Sequence, residues 1–190
     1  LDLDGTIAAT ARNAGYLDLL MRPERHNAVK VLIFFDVGGS MDPHVKVCEE
    51  LFSACRAEFK HLEYFYFHNC VYDHVWRDST RRYTERTPLA DVIHKYGPDY
   101  KLIIVGDGAM SPYEITHVGG SVEHMNAEPG AVWMQRVVDA FPHMIWLNPD
   151  SERNWHYSQS NKLMQQIIGP SRMFPLTLEG IDQGMRSLGR

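Results

Sequence analysis

One apolar segment constrains the fold of this chain more than any other. Residues 29–35 read Val-Lys-Val-Leu-Ile-Phe-Phe, and the run ends at Asp36, before Val37-Gly38-Gly39-Ser40-Met41. Such a run of β-branched and aromatic residues is typical of a strand buried on both faces, as parallel sheets require. Asp42-Pro43 then favours the start of a helix. Asp36 and Ser40 are therefore predicted to lie on a strand-to-helix loop, where open α/β sheets bind ligands.

Strands and helices alternate along the rest of the chain. Further strands are predicted over 61–67, 102–105, 144–147 and 173–176, and helices over 43–58, 88–96, 129–141, 160–168 and 178–188. Residues 69–76 are predicted to form an edge strand paired with 61–67. This alternation predicts an α/β, Rossmann-like three-layer sandwich, with a central mostly parallel sheet, one antiparallel edge strand and helices on both faces. The domain is expected over 29–190, with 1–28 as an N-terminal extension packed on it.

Composition argues against several classes of function. The 190 residues carry a net charge of −5 at pH 7 without a Lys/Arg block, so nucleic-acid binding has no electrostatic support. The longest apolar runs have the length of strands, and no membrane association is predicted. Cys48, Cys55 and Cys70 show no CxxC spacing. Three cysteines without a CxxC pair favour buried, reduced thiols and a cytoplasmic location.

Two of the predicted strands end in carboxylates, and this pattern favours a metal site. Asp36 follows the first strand, Asp107 follows 102–105, and Thr87 is predicted to be the N-cap of the helix between them. If these loops lie side by side, Asp36, Ser40, Thr87 and Asp107 offer only hard oxygen ligands, which suit Mg²⁺ or Mn²⁺ better than Zn²⁺. Two carboxylates at most neutralise the two positive charges of the ion, which keeps water molecules in its remaining positions. A carboxylate from a partner can displace one of these water molecules. Such a site is a docking point and not a catalyst.

These residues resemble the metal-ion-dependent adhesion site (MIDAS) of von Willebrand factor A (VWA) domains. Residues 36–41 are similar to the family's Asp-x-Ser-x-Ser pattern, and Thr87 and Asp107 stand where the family places its second- and third-loop ligands. Asp4-Gly5-Thr6-Ile7, Phe67-His68-Asn69 and residues 175–180 resemble the CoxE-like bacterial branch. The resemblance implies a non-enzymatic domain that binds an acidic side chain of a protein partner through the metal. In the CoxE-like branch it also implies work with a MoxR-type AAA+ ATPase in cofactor insertion or complex maturation.

Position 38 departs from the family pattern, because Gly38 replaces the first serine. The loss of one hydroxyl ligand predicts weaker metal binding, which Gly38→Ser is expected to restore. The alternative interpretation of Gly38 is a structural VWA domain whose metal site is vestigial. A second open point is the hydroxyl of the second loop, for which Thr84 is a rival to Thr87.

The alternative from a different class is an enzyme. Asp2-Leu3-Asp4-Gly5-Thr6 matches the DxDGT signature of haloacid-dehalogenase-type (HAD-like) phosphatases, and residues 106–109 resemble part of their later acidic motif. A Mg²⁺-dependent phosphohydrolase would use Asp2 and Asp4, with the first carboxylate at the end of a buried strand. No apolar run precedes Asp2, and Met110-Ser111 stand where the acidic motif requires Asn-Asp. No enzymatic activity is therefore predicted.

The ten histidines are scattered along the chain and show no HxxxH pair on a predicted helix. They give no metal-binding signature of their own. His68 follows a predicted strand end and is expected to be a structural, hydrogen-bonding residue.

Overall fold

A parallel sheet forms the centre of the computed structural model, which describes residues 12, 27–78, 80 and 83–189. The strands are β1 (Asn27–Asp36), β2 (Phe59–Phe67), β3 (His74–Val75), β4 (Thr87–Pro88), β5 (Lys101–Val105), β6 (Met144–Asn148) and β7 (Met173–Pro175). Five of them form the main sheet in the order β2-β1-β5-β6-β7, and each neighbouring pair is parallel. The predicted central strand is thus at the second position of the sheet, paired on both sides.

The described helices cover both faces of this sheet, which confirms the predicted α/β sandwich. They are α1 (Val45–Glu58), α2 (Leu89–Tyr96), α3 (Pro112–Thr116), α4 (Gly130–Ala140), α5 (Glu152–Trp155), α6 (Gln159–Ile168) and α7 (Leu178–Leu188). Alternate residues of each central strand point to opposite faces. Phe34 and Trp146 pack in one core with residues of α2, α4 and α6. Ile33 and Ile145 pack in the other core with residues of α1 and α7.

The antiparallel pairing predicted at the edge is short. Tyr66 of β2 and Trp76 exchange backbone hydrogen bonds of 2.7 and 3.0 Å. Beyond this bridge, β3 pairs with β4 in a separate two-stranded antiparallel sheet. Asn69, whose φ of +57° lies in the left-handed region, turns the chain between the end of β2 and this segment.

The predicted cap at Thr87 is wrong, and the helix predicted to start at Asp42-Pro43 starts later. Thr87 lies in β4, opposite Val75, and the N-cap of α2 is Pro88, without a side-chain hydrogen bond. The amide of Leu89 instead donates to the carbonyl oxygen of Asp73 at 2.8 Å, so a distant backbone group satisfies the helix start. Likewise, residues 39–44 form a 3₁₀ turn that contains the Asp42-Pro43 pair, and α1 begins only at Val45.

Cys48, Cys55 and Cys70 are free thiols, and the last two are buried, as predicted. Within the described ranges no helix is long and apolar enough to cross a membrane. Asp2 and Asp4, and with them the expected packing of the N-terminal extension, lie outside the described residues.

Candidate metal centre at the carboxyl edge of the sheet

The structure brings Asp36 and Asp107 together at the ends of two neighbouring strands. Phe35 of β1 pairs with Val105 of β5, so Asp36 is the last residue of its strand and Asp107 lies two positions beyond β5. The two side chains are only 4% and 3% exposed. Gly106 permits this approach, because a Cβ at that position would lie 3.0 Å from Cβ of Asp36. Two buried carboxylates therefore meet at this edge.

Burial dominates the electrostatics of Asp36. It raises the pKa of the carboxyl well above its ordinary value of 3.8, and the negative charges of Asp107 and Glu114 raise it further. Hydrogen bonds from the backbone amides of Asn69 and Val37 act in the opposite direction. The amide of Asn69 donates to Oδ1 at 2.8 Å and fixes the orientation of the carboxylate.

Glu114 is a third buried carboxylate at this edge, and the sequence predictions did not include it. Its side chain is 2% exposed, and its two oxygens accept hydrogen bonds from Nδ2 of Asn69 at 3.1 and 3.2 Å. Glu114 also closes a capping box at the start of α3, where its Oε1 accepts from the amide of Ser111 at 3.2 Å. The Ser-x-x-Glu spacing of residues 111–114 is the signal that could have located it.

His68 and Asn69 follow β2 and connect its end to the β1 loop. Nδ1 of His68 lies 2.6 Å from the carbonyl oxygen of Val37, so this nitrogen carries the proton and donates. The prediction of a hydrogen-bonding histidine is confirmed. Nε2 of the same ring lies 3.8 Å from Oε1 of Glu123. The loops after β1, β2 and β5 are therefore joined around the three carboxylates.

A buried polar network holds the loop that carries Asp107. The side-chain amides of Asn148 and Asn161 donate to the carbonyl oxygen of Asp107 at 2.9 and 3.1 Å. The hydroxyl of Ser160 donates to the carbonyl oxygen of Gly108 at 2.6 Å. Asn148 and Asn161 also bond each other at 3.1 Å, so the loop is tied to the end of β6 and the start of α6. Rigid support of this kind is what a metal ligand requires.

The two predicted hydroxyl ligands occupy different surroundings. Ser40 is exposed and lies in the 3₁₀ turn directly after the β1 loop. Thr87 and Asp36 do not lie on paired strands. β1, which ends at Asp36, pairs with β2; Tyr66 of β2 pairs with Trp76; and β3, just before Trp76, pairs with β4, which contains Thr87. Thr87 lines a cavity of about 220 Å³ with Arg77 and Asp91. Ser40 therefore follows Asp36 by four positions in an exposed turn, whereas Thr87 belongs to a strand that is not part of the main sheet.

The backbone of Gly38 explains the departure from the family pattern. Gly38 has φ 85° and ψ 170°, and Gly39 has φ 59°. The first conformation is essentially restricted to glycine, and the second is rarely adopted by L-residues other than Asn or Asp. Gly38 is thus required by the shape of this loop. The expectation that serine at position 38 would simply restore a ligand does not fit that conformation.

A cavity of about 310 Å³ opens beside Asp36 on the α1 side of the loop. Its lining is largely apolar and includes Phe35, Met41, Val45, Cys48 and Phe52. Burial raises the pKa of the Cys48 thiol to about 11, and the charge of Asp36 contributes to this shift. A polar centre and an apolar recess are therefore adjacent at this edge of the sheet.

A second group of residues could also hold a metal ion. Asp73, His74 and His124 each offer a ligand atom, and these atoms lie within 4.8 Å of one another. Burial lowers the pKa of His74 below its ordinary value of 6.5, although Asp73 opposes the shift. His124 follows Asp73 by 51 positions, so no spacing in the sequence indicates the cluster. Sequence analysis treated these histidines as scattered and missed it.

The chain was compared with protein-family models, curated proteins and solved structures, and none of them matches. The resemblance to VWA domains therefore depends only on the sequence motifs named above.

Proposed function

We propose that the carboxyl edge of the main sheet binds Mg²⁺ in a site of the VWA type, and that the bound ion receives a carboxylate from a protein partner. The observation that carries this proposal is the convergence of Asp36, Asp107 and Glu114, each at most 4% exposed. Buried carboxylates repel one another and lose their hydration, and a divalent cation compensates both costs. The proposed function is binding and not catalysis.

The chemistry of the residues fits Mg²⁺. All three side chains offer hard oxygen atoms, and Ser40 supplies a hydroxyl in the next turn. Asp36 and Asp107 each accept a backbone hydrogen bond of 2.8 Å on Oδ1, from Asn69 and Ala109, so both carboxylates are oriented. Mg²⁺ would act as a Lewis acid that retains water or a partner's carboxylate in its remaining positions. Asp36 and Asp107 are the proposed principal ligands, whereas Thr87, Thr84 and Glu114 are the candidates to be tested for supporting roles.

Exposed apolar residues in the segments after three strands of the main sheet support a protein partner. Exposed apolar side chains follow the carboxyl ends of β1, β5 and β6: Val45, Tyr113, Val118, Val122, Met125 and Tyr157, which are 49–90% exposed. Large exposed apolar side chains in segments that follow a binding edge are consistent with contact to another protein. The partner is inferred to place an Asp or Glu side chain at the metal and a neighbouring apolar side chain in the 310 Å³ cavity.

The partner class follows from the CoxE-like resemblance. We infer that the domain works with a MoxR-type AAA+ ATPase during complex maturation or cofactor insertion. This pairing is tested by mixing the chain with a purified MoxR-type ATPase in Mg²⁺ and in chelator. Retention of the ATPase in Mg²⁺ alone is expected, and retention that Asp107→Asn leaves unchanged would place the contact elsewhere.

Metal binding is tested directly by calorimetry. Mg²⁺ is expected to bind the native chain with one site, and Asp36→Asn and Asp107→Asn should each weaken it at least tenfold, since each removes a charged ligand. Asp139→Asn is the matched control, because Asp139 is exposed on α4 and bonds only to Gln135 in the same helix among the described hydrogen bonds. Equal Mg²⁺ affinity in all four proteins, or none in the native chain, would mean that the site is vestigial.

Partner capture through the metal needs a separate measurement. Mn²⁺ bound at the site enhances the relaxation of water protons while it retains bound water. A short peptide with a single Asp should reduce this enhancement in the native chain, whereas the same peptide with Asn should not. If the two peptides act alike, the metal does not receive a carboxylate and has a structural role only.

A further inference from the structure

We propose that Asp73, His74 and His124 form a second, separate metal site, which binds Zn²⁺. Oδ1 of Asp73 lies 2.8 Å from Nδ1 of His74 and 3.1 Å from Nε2 of His124. In a tetrahedral zinc site with bonds of about 2.0–2.1 Å, neighbouring ligand atoms are roughly 3.3 Å apart. The two pairs that include Asp73 are therefore close to this spacing, and the two imidazole nitrogens, which lie within 4.8 Å of each other, are at most about 1.5 Å too far apart.

The donor set selects the kind of ion. Two imidazole nitrogens and one carboxylate oxygen suit borderline metals such as Zn²⁺, whereas Mg²⁺ and Ca²⁺ prefer oxygen ligands. Three protein ligands leave the fourth tetrahedral position for water. This chemistry differs from that of the oxygen-only site at Asp36, so the two sites are expected to discriminate between metals.

The surroundings hold the two imidazole rings in place. The side chains of His74 and His124 are 11% and 17% exposed, whereas that of Asp73 is 55% exposed. The rings of Tyr72 and His124 meet edge to face at 5.3 Å. Nδ1 of His124 lies 3.4 Å from the hydroxyl of Ser121, a contact that orients the ring when Nε2 binds a metal. The fixed rings and the solvent-facing carboxylate give both preorganisation and an entry path.

The site would connect two segments that are distant in sequence. Asp73 directly precedes β3, and His74 is its first residue. His124 belongs to residues 117–129, the α3–α4 segment, which connects α3 to α4. Asn126 already organises this segment, because its side-chain amide donates to the carbonyl oxygens of His117 and Glu128 at 3.1 and 2.8 Å. A bound ion adds a cross-link from this segment to β3. The inferred role is structural stabilisation.

Cobalt substitution tests the site with the whole chain. Metal-free protein is titrated with Co²⁺, which absorbs strongly in the visible when it is tetrahedral, and Zn²⁺ is then added as the competitor. One equivalent of bound Co²⁺ is expected, and Zn²⁺ should displace it. His124→Ala should weaken Co²⁺ binding at least tenfold, because it removes one of three protein ligands.

His117→Ala is the matched control, since His117 is an exposed histidine of the same segment that contacts Tyr113 and Thr116. It should bind Co²⁺ like the native chain, as should Asp36→Asn. Unchanged binding in His124→Ala, loss of binding in Asp36→Asn, or no stoichiometric binding would each overturn the proposal. Near-UV circular dichroism verifies that His124→Ala is folded, and His124→Gln replaces it if it is not.

Proteolysis tests the structural role. Glu123 precedes His124 in the α3–α4 segment, so a glutamate-specific protease can cut beside the ligand. Zn²⁺ should slow this cleavage several-fold in the native chain and in His117→Ala, but not in His124→Ala. Cleavage at the same rate with and without Zn²⁺ in the native chain would show that the ion does not hold the segment.

Discussion

A carboxylate that is buried beside two others destabilises a folded chain unless a proton or a cation compensates it. Asp36 is in this position, since it is 4% exposed and its pKa is raised by burial and by the charges of Asp107 and Glu114. Asp36→Asn removes the charge but keeps the shape. It should therefore raise the melting temperature of metal-free protein at neutral pH by roughly 2–4 °C, which corresponds to about 1 kcal/mol for a chain of this size. Calorimetric melts in chelator measure this difference.

The same difference should depend on pH with a definite sign. Because the pKa of Asp36 is higher in the folded than in the unfolded chain, the folded state binds more protons, and stability falls as pH rises. The contribution of protonated Asp36 is fully present below pH 3.8 and is lost as pH rises through the raised pKa. The advantage of Asp36→Asn should thus grow with pH in chelator and reverse in saturating Mg²⁺. An advantage that is constant across pH would mean that ionisation of Asp36 is not its origin.

Asn69 combines two roles that substitutions can separate. Its φ of +57° suits Asn or Gly, and its side chain donates to both oxygens of Glu114. Asn69→Gly should cost about 1–2 kcal/mol, mainly for the lost hydrogen bonds to a charged group. Asn69→Ala should cost roughly 1–2 kcal/mol more, because alanine resists the left-handed conformation. Urea unfolding of the three proteins measures both differences, and equal stabilities of the two variants would contradict the argument from backbone conformation.

At the scale of elements, the β1 loop depends on its two glycines. Gly38 has φ 85° and ψ 170°, a conformation that costs an ordinary residue about 1–3 kcal/mol. Gly38→Ser should therefore destabilise the fold by that amount and weaken Mg²⁺ binding, although it restores the family's serine. Gly97→Ser is a control for a serine at a positive-φ glycine away from the site, where φ is 57° and no atom lies within 4 Å of a Cβ. Tighter Mg²⁺ binding by Gly38→Ser would show that the loop can change its conformation to use the hydroxyl.

The sequence predicted those elements whose cause is local. The apolar runs at 29–35, 102–105 and 144–147 indicated buried parallel strands, and the carboxylates that follow the first two indicated their shared edge. The predictions failed where a distant group replaced a local one. Thr87 has a side chain that commonly caps helices, but it lies in β4 and pairs with Val75 of β3. The first amide of α2 donates to the carbonyl oxygen of Asp73 instead.

The candidate sites show the same division between local and distant causes. Glu114 could have been found from its capping-box spacing, which is a local signal. The approach of His124 to Asp73 could not, because the two residues are 51 positions apart and meet only in the tertiary structure. The position of Thr87 likewise depends on the course of an irregular segment. Contacts between loops depend on tertiary structure that periodicity in the sequence does not encode.

At the scale of the whole molecule, the two proposed metal sites share a structural connection. Tyr72 lies directly before Asp73, packs against His124, and donates from its hydroxyl to the carbonyl oxygen of Glu114 at 3.0 Å. The α3–α4 segment also reaches the loops of the carboxyl edge, since Glu123 lies 3.8 Å from His68. A Zn²⁺ ion that fixes this segment therefore restricts the surroundings of Glu114 and His68 as well.

This connection predicts positive coupling between the two ions. Zn²⁺ at Asp73, His74 and His124 orders part of the carboxyl edge in advance, so Mg²⁺ binding no longer has to supply that ordering. Mg²⁺ affinity should rise about two- to tenfold in protein that carries one equivalent of Zn²⁺, and Zn²⁺ affinity should rise by the same factor in Mg²⁺, as linkage requires. Calorimetric titrations of Mg²⁺ into metal-free and zinc-loaded protein measure the factor. Tyr72→Phe, which removes the hydroxyl that donates to the carbonyl oxygen of Glu114 but keeps the ring beside His124, should reduce the coupling factor. Identical Mg²⁺ affinities with and without Zn²⁺ would show that the two sites act independently.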